Sequence, residues 1–176
     1  MMRVIGLAGW SGAGKTTLIA RLIPELKRRG LGVSTLKHAH HAFDLDQPGK
    51  DSYLHREAGA TEVLVASRLR WAIMHEQRGG DEPALVDLLP RLSPVDVVLV
   101  EGFKTERHAK IEVYRGGNEK PWLYPGDPDI VAVISDAGDS LSLPHAHLDN
   151  VSEAADLVLR FALPMDETLA RLRAAR

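Results

Sequence analysis

The chain predicts an α/β fold, a mostly parallel sheet flanked by helices with one antiparallel hairpin inserted. Three observations predict it. Short apolar runs alternate with amphipathic stretches of helical length through most of the 176 residues. A glycine-rich turn joins the first apolar run to the first helix. Two β-rich runs, 61–67 and 71–76, follow one another across a three-residue polar turn, too close for a crossover helix.

The elements follow in order. Val4-Ile5-Gly6-Leu7-Ala8 is an uncharged strand. Residues 15–29 form a helix, with Leu18 and Leu22, and Ile19 and Ile23, one turn apart. Gly30 to Gly32 return the chain into a second strand, Val33 to Lys37. A loop over 38–51 is rich in His, Asp, Pro and Gly, and Ser52 is expected to cap a short helix ending near Gly59. After the hairpin, a helix is expected over 82–92, then the most apolar strand, Val95 to Val100. Lys110 to Tyr114 alternates as a half-buried strand, 115–129 is turn-rich, and Ile130 to Ser135 is a buried strand. A helix over 152–163 stops at Pro164, and the tail 166–176 is amphipathic. No repeat or linker interrupts the series, so a single nucleotide-binding domain over 1–176 is expected.

Chemistry collects at the turn. Gly9-Trp10-Ser11-Gly12-Ala13-Gly14-Lys15-Thr16 matches G-x-x-x-x-G-K-[ST] in full. Gly9, Ser11, Gly12, Ala13 and Gly14 can turn consecutive backbone N–H groups toward one anion. Lys15 adds a mobile charge, and Thr16 offers a hydroxyl to Mg²⁺. Thr17 completes the first turn of the helix, whose N-terminus favours phosphate. The P-loop predicts binding of a nucleoside triphosphate with Mg²⁺.

Open α/β sheets bind ligands at the carboxyl ends of their strands. The most apolar strand, Val95 to Val100, delivers Glu101 there, the best acidic partner for Mg²⁺; the alternative is a mere lead into a turn. Asp51 can orient a water, or it can cap the helix that follows; both readings stand. Lys50 beside it can meet a phosphate. His38-Ala39-His40-His41, followed by Asp44 and Asp46, offers imidazoles and carboxylates to a transition metal, yet fits no structural zinc spacing. It equally reads as a loop near the phosphates or a solvated one.

Composition excludes several classes. Acids outnumber bases 24 to 22, which argues against nonspecific nucleic-acid binding. With no cysteine there is neither disulfide nor thiolate metal site. No apolar run approaches the ~20 residues of a membrane span. The first residues enter a strand directly, so no signal peptide is expected and a cytoplasmic location is the simplest expectation.

The chain resembles the molybdopterin-guanine dinucleotide biosynthesis protein B (MobB) family, a dimerising branch of P-loop GTPases. The phosphate loop with Trp10, the His38 to His41 run with Asp44 and Asp46, and Pro48-Gly49-Lys50-Asp51-Ser52 carry the resemblance. Arg56-Glu57-Ala58-Gly59-Ala60, Val100-Glu101-Gly102-Phe103-Lys104, Lys110-Ile111-Glu112-Val113 and Ser135-Asp136 extend it. It implies a GTP-binding homodimer and slow GTPase, with Lys15, Asp51 and Glu101 as catalytic candidates. Its partners would be molybdopterin and the MobA-type guanylyltransferase that joins GMP to it. No Asn-Lys-x-Asp is present, so Asp136, at a strand end, is the candidate acceptor for guanine. Two other classes stay open: a small-molecule kinase with Arg68, Arg70 and the 115–129 loop as lid, and a metallochaperone GTPase using the His loop.

Overall fold

A computed structural model describes residues 1–39, 43–138 and 141–176 of the chain. It divides into two compact units, Met1–His38 with Leu85–Arg176, and Ala39–Ala84.

The larger unit is built on one sheet. Its strands are β1 (Arg3–Ala8), β2 (Val33–Lys37), β5 (Val97–Glu101), β6 (Lys110–Tyr114), β7 (Ile130–Ser135), β8 (His145–His147) and β9 (Leu163–Pro164). The order is β2-β5-β1-β6-β7-β8, every pair parallel, and β9 lies antiparallel against the start of β1. Strands buried on both faces read as continuous apolar runs, and β1 and β5 do. Helices α1 (Lys15–Arg28) and α4 (Val151–Phe161) pack together on one face. There Leu18, Leu22 and Leu26 meet Ile5, Leu7, Leu99, Ile111 and Ile134 in a single core. Helix α5 (Met165–Ala174) contacts β1 and α3 (Leu85–Leu88).

Several expectations shift. The helix expected over 82–92 shrinks to α3 and a 3₁₀ turn, Leu89–Arg91. Pro90 has no N–H to give and its ring clashes with the preceding turn, so a continuous helix is unavailable. Strand β6 is not half-buried: Lys110, Ile111, Glu112 and Val113 are all buried, because β1 and β7 flank it in mid-sheet. Strands β8 and β9 were not expected. His145-Ala146-His147 is too short and polar for a periodicity signal, and Leu163-Pro164 is defined only by its partner β1.

The smaller unit holds α2 (Asp51–Glu57) and the hairpin β3 (Glu62–Ala66) with β4 (Trp71–His75). The hairpin is antiparallel with Leu64 opposite Ile73, as the residue alternation predicts. Arg56 ties the unit together, 2.8 Å from Asp44 and 2.9 Å from Glu76, with Asp46 at 3.5 Å. Among the described residues no helix is long and apolar enough to cross a membrane.

Candidate functional site

The turn between β1 and α1 has the geometry of an anion cradle. Gly14 is the N-cap of α1 at φ 95°, ψ 14°, in the left-handed region where a side chain would be strained. No side chain caps α1 and no acidic residue stands in its first turn, so the N–H groups at that end and their partial positive charge are not neutralised from within. Ser11 and Gly12 are exposed along the loop, Ala13 is buried beneath it, and Thr16 and Thr17 are exposed on the first helical turn.

Lys15 folds back over the loop, its Nζ donating to the carbonyls of Gly9 at 2.8 Å and Trp10 at 3.0 Å. Burial pushes its ammonium below the ordinary lysine value; Glu101 opposes this, while the charges of Lys104 and Lys37 add to it. The carbonyls are neutral acceptors, and a phosphate in their place would add an opposite charge to the hydrogen bonds of the ammonium.

Glu101 arrives from β5, paired in register with Leu7 of β1. Its Oε1 accepts the Thr16 hydroxyl at 2.9 Å. The two residues lie 85 positions apart, and the sheet brings them together. Two hard oxygens about 3 Å apart match neighbouring vertices of an octahedral Mg²⁺ site with bonds of about 2.1 Å, so the donor set fits that ion. Lys37, opposite Glu101 in the β2–β5 register, holds its Nζ 3.5 Å from the same Oε1.

Two segments cover the loop: one lies within 115–129, which the sequence offered only as the lid of a kinase, and the other carries Lys104, whose place here sequence reasoning missed. Asn118 donates to the Ser11 carbonyl at 3.3 Å, and the Trp10 indole N–H donates to the Pro121 carbonyl at 2.8 Å. On another side the Lys104 ammonium stands 5.5 Å from the Trp10 ring centre. Glu112 anchors the 115–126 segment: its buried carboxylate accepts the backbone N–H groups of Leu123 at 2.8 Å and Tyr124 at 2.9 Å. Burial raises its pKa even though both hydrogen bonds favour the ionised form. The signal was present as an acid between two apolar residues of a strand, Ile111 and Val113, since a carboxylate buried there needs a partner.

Asp136 follows the last residue of β7 and its carboxylate is already engaged, accepting the Gly116 N–H at 2.8 Å with Arg115 at 3.5 Å. Asp51 opens α2 in the smaller unit and is exposed. Neither it nor Ser52 caps that helix: Lys50 is the N-cap, without a side-chain bond, and the Ser52 hydroxyl donates to Asp46 at 2.9 Å. His40 and His41 lie outside the described residues. Among the described residues no group of three or more His, Asp or Glu is placed to hold a metal ion, and Asp44 and Asp46 serve Arg56 instead.

A family model for molybdopterin guanine dinucleotide synthesis protein B matches residues 4–136. The chain belongs to the MobB family. The molybdopterin-guanine dinucleotide biosynthesis adapter protein of Escherichia coli is 42% identical over 164 residues, 92% of this chain and 94% of its own length. That of Haemophilus influenzae is 38% identical, over 88% and 86% of the two chains. A crystal structure of molybdopterin-guanine biosynthesis protein B superposes with a TM-score of 0.70 at 28% identity, covering 89% of this chain and 98% of that one. In this MobB family member the match spans β1 to the end of β7, so the cradle, Glu101 and Asp136 all lie inside it.

Proposed function

We propose that the chain is a GTP-binding adapter in the biosynthesis of molybdopterin-guanine dinucleotide, acting where GMP is attached to molybdopterin. The role in the pathway rests on family membership and on the adapter relatives. The nucleotide rests on one observation above all, the uncapped N-terminus of α1 under a glycine turn, with Lys15 resting on carbonyls and Thr16 beside Glu101.

In this reading the N–H groups from Gly9 to Thr16 and the Lys15 ammonium hold the phosphates, with Thr17 alongside. Thr16 and Glu101 would hold Mg²⁺, which when bound supplies charge neutralisation between the outer phosphates. Asp136 selects guanine. Hydrolysis by the isolated chain is slow, about 10⁻⁴ to 10⁻² s⁻¹, the range of GTPases without an activating partner. The adapter works with a MobA-type guanylyltransferase and its molybdopterin substrate, as a homodimer, in the cytoplasm.

The experiment is a calorimetric titration of GTP, GDP and ATP with and without Mg²⁺, on wild type and Lys15→Ala. Wild type should bind GTP at micromolar concentration in a Mg²⁺-dependent way. The variant should lose that binding while keeping its melting temperature, since Lys15 bonds only to loop carbonyls of its own turn. Equal GTP binding by the variant would remove the cradle from consideration.

A further inference from the structure

The sheet brings a second ammonium to the site that the loop motif does not contain. Strand β2 is the sheet edge, and its parallel register with β5 sets its last residue, Lys37, directly opposite Glu101. The Glu101 side chain is 13% exposed and that of Lys37 is 57% exposed. The Lys37 Nζ lies 3.5 Å from Glu101 Oε1, the same oxygen that accepts the Thr16 hydroxyl. Lys15, Lys37 and Lys104 are close enough for the charges of the latter two to disfavour the protonated form of the first. Lys15 and Lys37 thus share the Glu101 carboxylate, with Lys104 close to Lys15, an excess of positive charge that a polyphosphate would balance.

The three are held differently. Lys15 rests on the loop carbonyls and Lys104 stands over Trp10, both on the β1 side of Glu101. Lys37 reaches Glu101 from the β2 side. Thr16 and Glu101 would hold a metal that neutralises the outer phosphates of a bound triphosphate. The outer phosphates would then be drawn to the Glu101 end of β5, where Lys37 already is, and an exposed lysine needs only a rotamer change to reach them.

We infer that Lys37 recognises the terminal phosphate of a nucleoside triphosphate and so lets the site distinguish the triphosphate from the diphosphate. This rests on the nucleotide reading above and adds to it the group that reads the third phosphate. The Lys37 side chain is 57% exposed and meets Glu101 at 3.5 Å from the solvent side, where screening leaves an ion pair little weight in stability, and Glu101 keeps its hydrogen bond from Thr16, so removing Lys37 should leave the fold intact.

The test is titration of wild type, Lys37→Ala and Lys37→Arg with a non-hydrolysable GTP analogue and with GDP, in saturating Mg²⁺, alongside thermal melts. Lys37→Ala should lose tenfold or more in affinity for the analogue (about 1.4 kcal/mol) and less than twofold for GDP. Lys37→Arg should regain part of the loss, and all three melting temperatures should agree. An alanine variant with unchanged affinity for the analogue, or with equal losses for both nucleotides, overturns the role of Lys37 while leaving the site itself standing. Wild type that binds neither nucleotide overturns the nucleotide reading, and Lys37 with it.

Discussion

His108 is fully buried in the larger unit, above a strand residue that has no side chain. A Cβ on Gly6 would collide with the His108 ring, so the glycine in β1 is what admits the imidazole. Its Nδ1 bonds the Glu106 carbonyl at 3.0 Å, and its Nε2 has no partner. Burial, helped by the Lys110 charge, lowers its pKa from 6.5 to about 4. The neutral form is therefore the native one. Below pH 6.5 the unfolded chain takes up a proton that the folded chain refuses, so stability falls as pH drops toward 4 and is retained above 6.5. By pH 5 this group alone should remove about 2 kcal/mol. Thermal melts between pH 7 and 5 should show a steeper loss for wild type than for His108→Gln; parallel curves would mean another group is responsible. At the same scale, Asp136→Asn should weaken GTP at least tenfold and improve xanthosine triphosphate, whose C2 oxygen can accept from an amide. Charged hydrogen bonds of about 1.5–3 kcal/mol set that magnitude. Competition binding checks it, and an undiminished preference for GTP would move base recognition elsewhere, for instance to backbone groups after Asp136.

At the scale of elements, the contrast between α1 and α4 is informative. Helix α4 is conventionally finished: Asn150 is its N-cap, accepting the Glu153 N–H at 3.2 Å, with an acid in the first turn. Helix α1 has neither. A helix that leaves its donors unsatisfied at a strand end is arranged to satisfy them with something else. Replacing Asn150 by Ala should lower stability by about 1 kcal/mol, seen as a shifted urea midpoint, with nucleotide affinity unchanged. A change in affinity would show that α4 bears on the site. Strand β6 has a comparable division of labour. Its Ile111 and Val113 enter the core while Glu112 anchors the segment carrying Pro121 and, upstream, Asn118, which bond to the glycine turn ahead of α1.

For the whole molecule, the two units differ in how they bury apolar surface. The larger has a continuous core; in the smaller, among the described residues, Val63 is the one buried hydrophobic side chain. One face of its hairpin instead presents Leu64 at 60% exposure, Ile73 at 48% and Trp71 at 65%. An apolar ribbon of this kind marks an interaction surface. In keeping with the proposed homodimer, sedimentation at tens of micromolar should give twice the chain mass. The double substitution Leu64→Glu and Ile73→Glu should shift the protein to the monomer. A monomeric wild type, with or without GTP, would assign this face to a different partner.

The glycine turn, the strand and helix around it and the hairpin were legible from sequence, because each is set by neighbours a few residues apart. Glycines at fixed intervals permit the turn, i to i+4 apolar pairs define α1, and alternation defines the hairpin. The place of Glu101 at the carboxyl end of β5 was legible as well, since it follows the most apolar run of the chain. Other features needed the fold. The meeting of Lys37, Glu101 and Thr16 depends on register across β2, β5 and β1. The burial of Glu112, Lys110 and His108 depends on which strands and segments surround them, and β8 and β9 exist only through their partners. Asp46 and Ser52 illustrate the same limit, since sequence offered one as a metal ligand and the other as a cap, and folding paired them with each other. Local spacing fixes backbone conformation, whereas the partner of a polar side chain is chosen among residues distant in the chain, by whichever contact satisfies it once water is excluded.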